Sequence, residues 1–294
     1  MKRLFLFLII SIILLSGCAR QEAPAKVAAT TLPVYEFTAR LCEGTDITVT
    51  RLVTENVSCL HDYSLNVRQV KAAEAAEVIV ISGAGLEEFM DDILRNKAVI
   101  DASVNIPLME LSAVHEHEHE HTHDHDHSHD EDPHIWLSPA NAKIMAANIC
   151  ENLCHQYPSH SDIFQQNLSS LIADLDTLEA YGQAQLSTLR YHDLITFHDG
   201  FGYFAESFGL QILEAVEEES GSEASAQELK HLITVVREHD LPAIFIEING
   251  SVSAADVISR ETGAKVYALD MAMSGDSYFD AMYRNIDTIK EALG

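Results

Sequence analysis

From His115 to His134 the chain reads HEHEHEHTHDHDHSHDEDPH, nine histidines interleaved with eight carboxylates and almost nothing that could build a core. A neutral imidazole is the commonest metal-binding side chain, and carboxylates draw in cations without choosing among them. The run is internal and alternates with acid, unlike a terminal purification tag, so it points to divalent metal. Its members His115, His117, His119, His121, His123, His125, His127 and His129 are expected to give secondary, weak metal sites. Ordering a flexible segment costs about 1–2 kcal/mol per residue, whereas donors on strand ends are already placed.

Four such placed donors can be picked out. In open α/β sheets ligands bind beyond the carboxyl ends of the strands. His61, in CLHDYSL, follows an apolar run over 47–53, and His134 opens HIWLSP just before a predicted helix. His198, in TFHDGFGYFA, directly follows a run over 194–197, and Asp270, in ALDMAMSGD, follows one over 266–269. Three imidazoles and one carboxylate make a four-coordinate set suited to zinc. Manganese would call for more oxygen donors, which makes His198 the discriminating residue. Because a metal-bound imidazole must be unprotonated, binding is expected to weaken as pH falls through about 6.5. HExxH occurs only within the His-rich tract, as at His115–His119, and not on a predicted helix, and Asp270 fills the position a reacting water would need, so no catalytic residues and no enzymatic activity are expected.

The elements that must hold these donors follow from periodicity. Short apolar runs over 27–31, 47–53, 78–82 and 98–100 predict buried strands, and 35–41, 67–75 and 86–94 have helical spacing. Ser138-Pro139 opens a further helix, with serine as cap and proline in the first turn. Residues 161–189 carry Phe164, Leu168, Leu171, Leu175 and Leu178 at steps of four and three, predicting one continuous helix of about 40 Å. A second alternation follows, with strands over 194–197, 212–216, 243–247 and 266–269. Its helices fall over 202–208, 226–238, 253–261 and 278–292. The fold class is therefore α/β: two lobes, each a mostly parallel sheet flanked by helices, joined by a long rigid helix, with the metal site in the cleft. The expected divisions are 27–160 for the first lobe, including a His/Asp/Glu-rich loop over 115–132, then 161–190 for the linking helix and 191–294 for the second lobe.

Ahead of these, residues 1–17 read as a secretory signal: Lys2 and Arg3, an apolar run too short to be a confident membrane span, then small residues. Leu15-Ser16-Gly17-Cys18 has the form of a bacterial lipoprotein cleavage box, with Cys18 the lipidated first residue of the mature chain and 18–26 a polar tether. An extracytoplasmic protein anchored to the cell membrane is expected. Removing 1–17 takes two of the 18 basic residues and none of the 46 acidic ones. The mature charge is then 16 − 46, or −30, which excludes nucleic-acid binding. Of the remaining cysteines, Cys42 with Cys59 is the favoured pairing, and Cys150 and Cys154 read equally well as buried thiols.

The motifs HDYSL, DPHIWLSP, TFHDGFGYFA, IFIEING and SYFDAMYRNI resemble, in order and over about 27–294, those of the metal-binding lipoproteins that feed ABC importers, and within them the zinc-uptake branch. The chain departs from the family at Leu60, Ser64-Leu65 and Asp270-Met271-Ala272, where prolines are usual. The resemblance implies His61, His134 and His198 as zinc ligands, with Asp270 fourth or close by. It also implies Zn²⁺ as the carried ion, a membrane permease as partner and a monomeric carrier. A manganese or iron carrier of the same fold, or a surface zinc-storage or adhesin lipoprotein, is the alternative.

Overall fold

The computed structural model describes residues 27–57, 60, 63–111, 131–217 and 224–294. Residues 1–17, Cys18, the tether, Cys59, His61 and the histidines from His115 to His129 lie outside the described residues.

The first lobe contains β1 (Val27–Ala29), α1 (Leu32–Leu41), β2 (Val49–Arg51), α2 (Val67–Ala75), β3 (Val78–Ile81), α3 (Asp91–Leu94), β4 (Ala98–Asp101) and α4 (Pro139–Gln156). After α5 (Ser161–Leu186), the second lobe runs β5 (Asp193–His198), α6 (Gly202–Phe208), β6 (Gln211–Glu217), α7 (Ala226–Glu238), β7 (Ala243–Glu247), α8 (Ser253–Thr262), β8 (Lys265–Leu269) and α9 (Tyr278–Leu293). Both sheets are four-stranded and parallel, in the orders β2-β1-β3-β4 and β6-β5-β7-β8. Each lobe thus repeats one winding, with its crossover point between the two central strands. Those strands are buried, as runs such as VIV and LITF require when helices cover both faces.

Local chemistry sets the helix ends. Asn66 and Gln69 form a capping box at α2, and Ser225 and Glu228 another at α7. The Ser138 side chain caps α4 with Pro139 in the first turn, as expected. Gly263 ends α8 in the left-handed region.

α5 is the shared spine. Phe164, Leu171, Leu175, Leu178 and Leu186 are buried along it, packed against α1 and α4 on one side and α6 and α9 on the other. Gly182 permits this, because a side chain there would run into the Phe208 ring of α6. Asn167 Nδ2 donates to the carbonyls of Leu41 and Glu43, both at 2.9 Å, tying the end of α1 to the spine. The main apolar core runs from Val27 through α5 to Leu293, with a smaller cluster in each lobe beside it. Bonds between the lobes reinforce it. Leu32 N–H donates to Met273 O (3.1 Å), Trp136 Nε1–H to Met271 O (2.7 Å) and Tyr278 Oη–H to Trp136 O (2.7 Å).

One expectation is corrected. The helix over 86–94 is broken into a 3₁₀ turn, Glu88–Met90, and the four-residue α3. Gly83, Ala84 and Gly85 all have positive φ, which turns Glu87 inward to accept from Thr30 Oγ1 (2.6 Å), Ser82 N–H (2.8 Å) and Gly83 N–H (3.0 Å). Cys59, the favoured partner of Cys42, lies outside the described residues. Cys42 is a free thiol packed in the apolar core, where burial pushes its pKa up to about 12. Cys150 and Cys154 are free thiols, the first buried and the second partly exposed.

Glu87 sets a pH dependence. Burial pushes its carboxyl up to about 7 against the pull of those three donors. A folded pKa above the unfolded value means that the native state holds a proton the unfolded chain has released. The stabilisation is therefore full below pH 4.5 and is lost as pH rises through 7, by up to about 3 kcal/mol. The urea stability of wild type minus that of Glu87→Gln should fall between pH 4.5 and 7.5; a flat difference would contradict the assignment.

Candidate metal centre

In the second lobe the crossover point lies between β5 and β7, and the last residues of those strands are His198 and Glu247. Both are buried. His134 enters from the first lobe, immediately before a 3₁₀ turn, Ile135–Leu137, that leads into α4. The two imidazoles meet edge to face, with ring centroids 5.0 Å apart and planes at 86°. Their Nε2 atoms are 3.3 Å apart.

The opposite edges of both rings face carboxylates. Asp132 Oδ1 lies 2.7 Å from His134 Nδ1 and also accepts the His134 backbone N–H at 2.9 Å. Glu247 Oε1 lies 3.4 Å from His198 Nδ1. A carboxylate at Nδ1 favours the tautomer that carries its proton there, which would leave Nε2 to face a metal. Gly200 makes the approach possible. A Cβ on it would lie 2.7 Å from Met271 Cε, 2.8 Å from His198 Cδ2 and 2.9 Å from His134 Cε1, and none of these separations is tolerated. Replacing Asp132 by asparagine, which removes the charge opposite Nδ1, should lower metal affinity about 10–100-fold in a competition titration. Unchanged affinity would remove Asp132 from the site.

Asp270 is placed differently. Its Oδ2 accepts from Arg284 (2.8 Å) and its Oδ1 from Ala272 N–H (2.8 Å), while Asn285 bonds its backbone N–H and carbonyl. The Oδ1 bond holds Ala272, whose φ is +53°, in a tight turn. Asp270 and Glu247 both line a cleft of about 330 Å³ that also takes in Asn56 of the first lobe and Arg284. Met271, the next residue, reaches the imidazole pair through Gly200. The bonds the structure gives the Asp270 carboxylate are therefore to Arg284 and the turn, and those of its backbone to Asn285.

His61 lies outside the described residues. Leu60 is buried, and Tyr63 N–H donates to Leu60 O (3.0 Å). Earlier in the same loop, Asn56 bonds Asn249 (3.1 Å) and Ser274 (3.0 Å) of the second lobe. Among the described residues no cluster of three or more His, Cys, Asp or Glu forms that could hold a metal; the converging pair is His134 and His198.

Sequence reasoning did not pick out Asp132, Gly200 or Arg284. Asp132 carries a signal in retrospect, because its acid is followed by Pro133 and then a candidate ligand, which ends the acidic run in fixed geometry. Arg284, 14 residues beyond Asp270 on α9, carries none.

The chain was compared with known proteins. Residues 27–292 match the family described as zinc-uptake complex component A, periplasmic (ZnuA). The high-affinity zinc uptake system protein ZnuA of Bacillus subtilis is 30% identical over 280 residues, covering 91% of this chain and 87% of that protein. The zinc-binding protein AdcA of Streptococcus pyogenes is 28% identical over 290 residues. The match covers 92% of this chain but 56% of AdcA, so the chain spans little more than half the length of that relative. Among solved structures, a ZnuA deletion mutant with zinc bound superimposes with a TM-score of 0.78 at 28% identity, covering 92% of this chain and 98% of that one. With nearly its whole described length matched, the chain belongs to the zinc-uptake complex component A family.

Proposed function

We propose that this chain captures Zn²⁺ outside the cytoplasm and hands it to the permease of an ABC importer, as a monomer tethered to the membrane through Cys18. His61, His134 and His198 supply three nitrogens and Asp270 the fourth donor. The observation that carries this reading is the 3.3 Å between the two Nε2 atoms. Two nitrogens each about 2.0–2.1 Å from a tetrahedral zinc must themselves be about 3.3 Å apart. The pair already has the edge length of the coordination polyhedron, so binding requires little rearrangement of either ring. Asp270 can join without leaving Arg284, since each carboxylate oxygen has a second lone pair. The zinc-binding names of the relatives support the choice of ion. Four protein donors leave no open coordination position, so the chemistry is capture and release rather than catalysis.

The test is a zinc-against-manganese competition on the apo protein, read through Trp136. That residue is the single tryptophan, and its ring lies 5.4 Å from the His134 ring. One tight site that prefers zinc and changes Trp136 emission is expected; preference for manganese would overturn the reading. The histidine tract should add only weaker sites. Deleting 115–129 is expected to reduce the number of zinc ions bound while leaving the tight constant unchanged, and loss of the tight site would refute that division.

A further inference from the structure

We propose that Tyr203 is a positioning residue that locks Asp132, and through it the His134 imidazole, in the pose that receives metal. The inference rests on the reading of His134 as a ligand.

The residues flanking 112–130 are drawn together. Glu110 and Glu131 form an antiparallel bridge, and Asp132 N–H donates to Met109 O at 2.7 Å. The Tyr203 hydroxyl closes this neck from the second lobe, accepting from Met109 N–H (2.9 Å) and donating to Asp132 O (3.0 Å). The backbone of Asp132 is thus held at both its N–H and its carbonyl. Its carboxylate is hemmed in by the same helix, because a Cβ on Gly202 would lie 3.3 Å from Asp132 Oδ2. The ring of Tyr203 is buried, only 2% exposed. A tyrosine there only to fill space would be replaceable by phenylalanine.

The chain order gives this clamp its significance. Tyr203 stands five residues after His198, in the first turn of the helix that follows β5. The phenol therefore refers His134, from the other lobe, to the same short segment that carries His198. The spacing of the two Nε2 atoms is set by bonds rather than by the average position of the lobes. Without the hydroxyl, Met109 N–H and Asp132 O lose their shared partner, Asp132 gains freedom, and the imidazole it orients gains it too.

The test compares Tyr203→Phe, Gly202→Ala and His134→Ala in the full chain. The readouts are amide exchange at Met109 and Asp132, the ¹⁵N signals of the His134 ring in the apo protein, and zinc affinity by competition. In Tyr203→Phe we expect Met109 and Asp132 to exchange at least about 10-fold faster and the His134 ring to lose its single Nδ1–H tautomer. Cleft affinity should fall about 3–10-fold, less than for an outer partner in direct contact with the ligand. Gly202→Ala keeps the phenol and presses on Asp132 from the other side. It should shift the ring signals and lower affinity in the same direction, which keeps the test decisive if Tyr203→Phe folds poorly. Wild-type ring signals in both variants, or lower affinity with unchanged ring signals, would overturn the positioning role. If His134→Ala keeps the tight site, the ligand reading itself fails. If His134→Ala loses it while the other two variants behave as wild type, only the clamp fails.

Discussion

His198→Ala should abolish tight zinc binding, lowering affinity by at least about 100-fold, the upper end of what loss of an outer partner costs. The residue is 2% exposed at the end of a central strand, and its Nε2 provides one end of the 3.3 Å edge on which the zinc reading rests. Alanine removes that donor and the ring that faces Glu247, and no other described histidine lies within hydrogen-bonding distance of His134. The measurement is a zinc competition titration against a chelator of known constant. The weak sites in the tract should persist, so total zinc bound at high concentration falls by one ion. A variant that keeps the tight constant would place the ion elsewhere and end the carrier account as built here.

Gly200→Ala should come next in effect, because one methyl group would lie under 3.0 Å from three side chains at once. Met271 is flexible enough to swing aside, but the two imidazoles are not, since a carboxylate faces the Nδ1 edge of each. The rings must separate, and their nitrogens no longer span a tetrahedral edge. We expect about a 10-fold or greater loss of zinc affinity, and about 1–3 kcal/mol of stability from overpacking. Titration and urea unfolding report the two effects separately. Wild-type zinc affinity in a folded Gly200→Ala protein would mean that the observed ring spacing does not govern binding.

Most of the architecture could be read from the chain because parallel sheets covered on both faces leave continuous apolar runs. Strand 243–247 and helices 67–75, 202–208 and 226–238 have the expected bounds. The helix over 86–94 failed for a tertiary reason. Its spacing is helical, but Glu87 is spent on donors at the ends of β1 and β3, 57 residues away in the case of Thr30. The convergence of His134 and His198 was legible because one ends a strand and the other marks a break in composition. The site was not legible where a residue's meaning depends on a distant partner. Asp132 looks like one acid among eight until it is seen against His134, and Asp270 looks like a free carboxylate until Arg284 is seen against it. Tyr203 reads as a core aromatic, and nothing local marks its hydroxyl as meeting two strands of backbone 23 residues apart.

The apolar interior along α5 limits how far the two halves can move apart. Swinging the halves apart like jaws would wet Leu32, Trp136, Met273 and Tyr278, all of them at most 1% exposed. At about 1.5–3 kcal/mol for each large side chain, a wide gape is thermodynamically prohibitive. At the rim, Asn56 bonds Asn249 and Ser274 across the cleft, an edge that can loosen without wetting that interior.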